Sequence, residues 1–159
     1  MPAGFSAVIP AALPESRMNL RARLAVLARR LAAAGYDGLV MIALWIFATA
    51  TLMPFTDGAI NPPLPYNIPF DLYILAITFA YFGWFWTHGG QTLGMKAWKY
   101  EVTELDGSPL RWPGAARRFL LAGISWLLLG AGWLWLLFDR EQLTLHDRYS
   151  NTRIRRIDQ

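Results

Sequence analysis

Residues 30–55 read Arg-Leu-Ala-Ala-Ala-Gly-Tyr-Asp-Gly-Leu-Val-Met-Ile-Ala-Leu-Trp-Ile-Phe-Ala-Thr-Ala-Thr-Leu-Met-Pro-Phe. After Arg30, the block Leu31–Phe55 holds twenty-five residues and a single charge, Asp37. That length crosses the ~30 Å hydrocarbon core of a bilayer with some tilt, so the block predicts a transmembrane helix. A carboxylate at the mouth of such a helix is costly, and Asp37 needs a reason to be there. Seven residues are close to two turns, which places Arg30 and Asp37 on one helical face about 10 Å apart. The long guanidinium stem can snorkel toward water or lean toward the acid. Two readings of Asp37 stay open. It binds or relays a cation or a proton, or it is a structural counter-ion that locks helix packing. Gly35 and Gly38 flank it and permit close helix approach under either reading.

Two more apolar blocks follow. Phe70–Thr87 has eighteen residues, with Pro69 and Asp71 as helix-start signals and Trp84 and Trp86 as interface anchors. Phe119–Phe138 has twenty residues and no charge, and Gly130 and Gly132 interrupt it. The chain is 55% apolar and only 16% charged over 159 residues, and its apolar residues fall in blocks rather than periodic stripes. The expected fold class is an all-α integral membrane protein, a helical transmembrane bundle with a small cytoplasmic interfacial loop or hairpin. Cysteine is absent, which excludes a disulfide framework and thiolate chemistry. The net charge is +4, but the arginines flank apolar blocks, so they fit anionic lipid headgroups better than nucleic acid.

Residues 1–15 read as a flexible leader, with no signal-peptide pattern. Residues 16–30 form a basic amphipathic juxtamembrane segment, with Leu20, Leu24 and Leu27 at helical spacing among Arg17, Arg21, Arg23 and Arg30. It either lies on the membrane face before turning inward or extends the first span. Lysine and arginine number five in 1–30, none in 56–69, five in 88–118 and five in 139–159. The first loop is therefore external and the N-terminus cytoplasmic, in the plasma (inner) membrane. Residues 139–159 are a basic tail. A third full crossing, which the block length favours, sends that tail outside; a re-entrant bend at Gly130-Ala131-Gly132 returns it inside.

Between the second and third blocks lies Gly89-Gly90-Gln91-Thr92-Leu93-Gly94, which lacks the Gly-Lys-Ser/Thr ending of a phosphate loop and follows a membrane helix rather than a strand. Thr92–Trp98 predicts a short interfacial helix and Lys99–Leu105 a strand. Asp106-Gly107 is a hairpin-turn signal. The strand's partner is either Ser108–Trp112, weakened by Pro109, or the tail segment Asn151–Ile157. Arg117 and Arg118 stand at the mouth of the third block, where headgroup anchoring is the plain role. Asp147 is a counter-charge to Arg30, Arg117 or Arg118, or a solvated tail acid. His88 and His146 have no metal-ligand spacing, and no serine or threonine has a local base, so neither a metal, a cofactor nor an enzymatic activity is expected.

These residues resemble the RDD family of small membrane proteins, named for an arginine and two aspartates. Arg30 and Asp37 match its first-helix arginine and the aspartate seven residues later. Gly90-Gln91-Thr92-Leu93-Gly94 is similar to its Gly-Gln-Thr-Leu-Gly motif, with Met95 before Lys96. Asp147-Arg148-Tyr149-Ser150-Asn151-Thr152 resembles its final Asp-Arg-Leu-Ala-Gly-Thr element, which makes Asp147 the second name-giving aspartate. The resemblance runs over about residues 24–157, and residues 31–138 read as an RDD-like membrane domain with the basic tail belonging to the same region. It implies ion- or charge-cluster roles for Arg30, Asp37 and Asp147; Arg117, Arg118 and Gln91 are secondary candidates by position. The expected function is a structural or accessory membrane module that is non-enzymatic and partnered by itself or by other membrane proteins. Some family members are linked to sodium–proton exchange. The alternative is therefore a cation–proton antiporter or proton-coupled carrier in which Asp37 handles a monovalent cation or proton.

Overall fold

A computed structural model describes residues 19–55, 68–128, 130–139 and 141–157. The leader 1–15 and most of the first loop lie outside them. Helix α1 spans Leu20–Leu52 without a break. It starts where the Asn19 side chain accepts the Ala22 N–H at 3.0 Å. The basic stretch from Leu20 to Arg30 is thus the first third of the same rod, and no turn separates it from the apolar part. At 1.5 Å per residue the rod is about 50 Å long, more than a bilayer core needs. Its buried positions are Leu27, Arg30, Ala33, Asp37, Met41 and Ala48, a three-four-seven stripe along one face.

Helix α2 spans Ile68–Thr87. These two helices are long and apolar enough to cross a membrane. Leu39, Ile42, Ile46, Phe47, Leu72 and Leu75 are exposed on them, so the protein presents an apolar belt that calls for lipid rather than water. The largely helical architecture and this belt are those of a helical integral membrane protein.

The third block does not form one straight span. Helix α4 covers Trp112–Leu127, helix α5 covers Ala131–Leu134, and a 3-10 turn follows over Trp135–Leu137. The two parts meet at 105°. Gly130 sits at the break with φ 77°, a left-handed conformation that glycine adopts without strain. Of the two forms open to the third block, straight or bent at Gly130-Ala131-Gly132, it takes the bent one, and the chain packs onto the basic part of α1. There Leu27 packs with Trp133 and Leu136.

The bend makes the only described sheet possible. Strand β1, Tyr100–Glu104, pairs antiparallel with strand β2, Thr152–Arg156, in the register Tyr100↔Arg156 through Glu104↔Thr152. Of the two partners open to the first strand, the tail takes the ladder. Asp106-Gly107 still closes a tight turn, with the Glu104 N–H donating to the Ser108 carbonyl at 3.0 Å and one isolated bridge at Thr103↔Pro109. Pro109 cannot donate to a ladder, which explains why that arm stays a bridge. The sheet corrects the all-α expectation in detail, while the chain remains mainly helical. Short helices α3, Leu93–Ala97, and α6, Leu145–Tyr149, flank the strands. A core of Trp86, Met95, Tyr100, Val102, Leu110 and Ala115 ties the end of α2 to the sheet and the start of α4.

Candidate functional site: two carboxylate anchors on the first helix

Asp37 is 4% exposed and takes hydrogen bonds from three neutral donors. Tyr81 from α2 donates its hydroxyl to Oδ1 at 2.9 Å, and the Gly94 N–H donates to the same oxygen at 2.9 Å. The Thr92 hydroxyl donates to Oδ2. Thr92 is also the N-cap of α3, where its oxygen accepts the Met95 N–H at 3.2 Å. The first turn of α3 would otherwise bury orphan N–H groups against α1. Thr92 and Asp37 divide those donors between them. Gly94 is required by the approach: a Cβ there would run into the Ala33 carbonyl oxygen and lie 2.9 Å from the Asp37 carboxyl carbon. Gln91 donates to the Tyr100 carbonyl at 2.7 Å and so holds the start of β1. The Gly90–Gly94 motif is thereby a docking turn for the Asp37 carboxylate.

Arg30 faces a different acid. Its Nη1 donates to the Gln142 carbonyl at 3.1 Å and reaches Asp147 Oδ2 at 3.4 Å, and its Nη2 donates to the Ile154 carbonyl at 3.0 Å. Arg118, on α4, donates to Asp147 Oδ1 and to the Thr152 hydroxyl, and its guanidinium carbon lies 5.2 Å from the Trp86 ring centroid. Asp147 is fully buried. It also closes a capping box on α6: Thr144 N–H donates to Oδ2 at 3.1 Å and Asp147 N–H donates to the Thr144 hydroxyl at 3.2 Å. Burial alone would raise the Asp147 carboxyl. Arg118 and, behind it, Arg30 outweigh that and hold it below the usual carboxylate range. The adjacent His146 is 2% exposed. Burial pushes its imidazole down to about 4; Asp147 opposes that shift, while Arg118 and Arg30 act with it.

The sequence neighbours Arg30 and Asp37 thus serve separate anchors. Of the three arginines open to Asp147, Arg30 and Arg118 meet it, while Arg117 is exposed on the outer side of α4. Asp147 is not a solvated tail acid. Arg23 adds a third grip one heptad before Arg30, donating to the carbonyls of Leu137 at 3.0 Å and Asp139 at 2.8 Å. Asp139 in turn accepts from Arg148 at 2.7 Å. Arg23, Arg30 and Asp37 form a seven-residue ladder on one face of α1, each rung holding a different part of the chain. Arg23 carried no signal apart from that period. The Thr144-x-x-Asp147 pattern did carry one, as an N-cap followed by an acid at the third helical position. Tyr81 had only its polarity within an apolar block.

His88, just past the end of α2, stacks on Trp84 with ring centroids 3.9 Å apart. Among the described residues no group of three or more His, Cys, Asp or Glu is placed to hold a metal ion.

No curated protein and no solved structure matches the chain. The family model described as the RDD family matches residues 24–151, a range that includes Arg30, Asp37, Arg118 and Asp147. The chain belongs to the RDD family of integral membrane proteins.

Proposed function

We propose that this chain is a structural or accessory module of the plasma membrane, without chemistry of its own, that assembles with copies of itself or with other membrane proteins. One observation carries the reading. The buried acids and the arginines that meet them are engaged in holding segments together: Asp37 clamps α3 to α1, and Asp147 joins α1, α4, α6 and β2. A carboxylate whose oxygens are taken up by fixed donors is a poor carrier site and a good staple.

In this reading the transmembrane bundle is built from α1, α2 and the bent third block. The sheet and tail form a cytoplasmic interfacial unit beside the N-terminal half of α1. The pairing of β1 with β2 supports this, because residues 100–104 and 152–156 can form one ladder only from the same side of a membrane. Each of the segments 1–30, 88–118 and 139–159 carries five lysines or arginines and the first loop none, so the positive-inside bias is fully met only with the tail inside. Anionic headgroups are then the natural neighbours of Arg21, Arg29 and Arg117.

A second reading, cation–proton exchange at Asp37, draws on one observation: Asp37 also lines the cavity between the helices. Liposomes separate the two. Under the module reading, wild type with an imposed pH gradient shows no collapse on adding sodium or potassium, and Asp37→Asn lowers stability or assembly. Collapse by wild type, abolished in Asp37→Asn with assembly intact, refutes the module reading.

A further inference from the structure

A cavity of about 850 Å³ lies between α1, α2 and α4, within the ~300–1,000 Å³ range of small-molecule sites. Its wall on α1 runs from Arg30 to Trp45, about 22 Å at the helical rise. Past Asp37 that wall is apolar, through Gly38, Met41, Ile42 and Trp45. Ile42, Leu75 and Ile124 are half-exposed where they line it, so the cavity opens sideways onto the lipid-facing belt. Trp133 and His146 line it at the level of Arg30. Trp133 packs on Leu27, about one turn before Arg30, and Arg30 reaches Asp147, the neighbour of His146.

Polar groups along the lining differ in how they are matched. Trp45 gives its N–H to the Thr78 hydroxyl at 2.9 Å, and Asp37 accepts from Tyr81, Thr92 and Gly94. Among the described residues, Arg118 Nε, Trp133 Nε1 and His146 Nδ1 are buried atoms with no hydrogen-bond partner. Their residues are 3%, 9% and 2% exposed, and all three line the cavity. They form one cluster. The Trp133 and His146 ring centroids are 5.2 Å apart, and His146 Nε2 lies 4.0 Å from the Asp147 oxygen that accepts from Arg118. Buried polar atoms are normally paired, and Arg118 Nε and Trp133 Nε1 are N–H donors only. What they lack is an acceptor oxygen.

The charge around them does not call for an anion. The guanidiniums of Arg30 and Arg118 stand against the carboxylates of Asp37 and Asp147, so the formal charges cancel. His146 is neutral at pH 7. An uncharged carbonyl supplies the acceptor without burying a further charge. The walls add a shape. Phe82, Trp86, Phe119, Trp126 and Trp133 line the cavity, and flat rings pack on such side chains by offset or edge-on contact.

We propose that this cavity seats one lipid-soluble quinone, with a ring carbonyl accepting from Trp133 and Arg118 and its tail running along α1 past Gly38. Such a molecule is uncharged and planar, carries carbonyl acceptors, and enters from the bilayer through the sideways opening. The quinone is held unchanged, so the site gives the membrane module a ligand without giving it chemistry. The carboxylate anchors operate with or without it.

The test is native mass spectrometry of the full chain released from detergent micelles. Decylubiquinone, dioleoylglycerol and dioleoyl phosphatidylglycerol are titrated separately. Wild type retains one decylubiquinone per chain, at least tenfold more tightly than either glycerolipid. Gly123→Phe fills the cavity from α4, where a side chain meets nothing within 4 Å, and Gly38→Leu does so from α1 with equal freedom. Either variant loses quinone retention tenfold or more while keeping the wild-type circular dichroism. Trp133→Phe, which removes one donor and keeps a ring, weakens retention several-fold. No retention by wild type overturns the proposal. So does dioleoylglycerol held as tightly, which makes any ester carbonyl sufficient, or phosphatidylglycerol held as tightly, which makes the occupant an ordinary bilayer lipid. Undiminished retention in a folded cavity-filled variant overturns it as well.

Discussion

Replacing Asp147 by Asn removes one charge and almost no volume, and it strikes the point where four segments meet. In the native arrangement Oδ1 accepts from Arg118, and Oδ2 accepts from the Thr144 N–H and faces Arg30. An asparagine has one acceptor oxygen, so its NH2 must face a donor in either orientation. If the NH2 takes the Oδ1 place it meets Arg118; if it takes the Oδ2 place it meets Thr144 N–H and Arg30. Two buried guanidiniums then repel across the site without the Asp147 charge between them. Breaking a buried pair from one side costs about 3–5 kcal/mol, and the second arginine puts this case at the upper end. The assay is equilibrium unfolding of the purified protein in mixed micelles titrated with dodecyl sulfate, followed by circular dichroism. Glu101→Gln is the control, because its partner Arg155 is largely exposed and such pairs contribute about 0–1 kcal/mol. Adding Arg118→Met to Asp147→Asn removes one stranded cation, and it recovers part of the loss as a positive coupling. If Asp147→Asn unfolds within about 1 kcal/mol of wild type, or no differently from the Glu101 control, the cluster does not hold the fold as argued.

Three other outcomes are expected. Gly94→Ala destabilises by about 1–3 kcal/mol in the same assay, because its Cβ meets the Ala33 carbonyl and the Asp37 carboxyl, whereas Gly38→Ala is neutral with open space around it. Arg118→Lys destabilises clearly, since an ammonium has no planar face to lie over Trp86, where the guanidinium carbon is 5.2 Å from the ring centroid, while Arg117→Lys stays within about 0.5 kcal/mol. The pH dependence follows from His146. Its folded value, about 4, lies below the ordinary 6.5, so between those values the unfolded chain binds the extra proton and stability rises with pH. The thermal midpoint therefore falls from pH 7 toward pH 4.5, and His146→Gln flattens the slope between pH 6.5 and 5. An unchanged slope refutes a buried neutral His146. Asp147, held low, contributes at neutral pH and loses its contribution only in more acidic solution.

Much of the architecture was legible in local chemistry. The apolar runs Leu31–Phe55 and Phe70–Thr87 are long enough to define spans by length and composition, with no information about partners. Asp106-Gly107 encodes its own turn, and Gly130 marks the break because a left-handed residue is a local property. The seven-residue spacing of Arg30 and Asp37 placed them on one face, which the stripe of buried positions on α1 shows.

What sequence could not settle was who meets whom. Arg30 had an acid two turns away and another 117 residues away, and it meets the distant one. Spacing along a helix sets which side chains share a face, but residues two turns apart still lie about 10 Å from one another, too far for direct contact. The choice was made by the bend at Gly130, which carries the tail back to the basic part of α1 and brings Asp147 between Arg30 and Arg118. The same return gives β1 its partner and frees Asp37 for the α3 turn. Length, composition and turn chemistry act within a few residues, so the chain alone determined the membrane helices and the signature positions. Buried ion pairs form only where separate segments exclude water together, so their partners were decided by the tertiary fold.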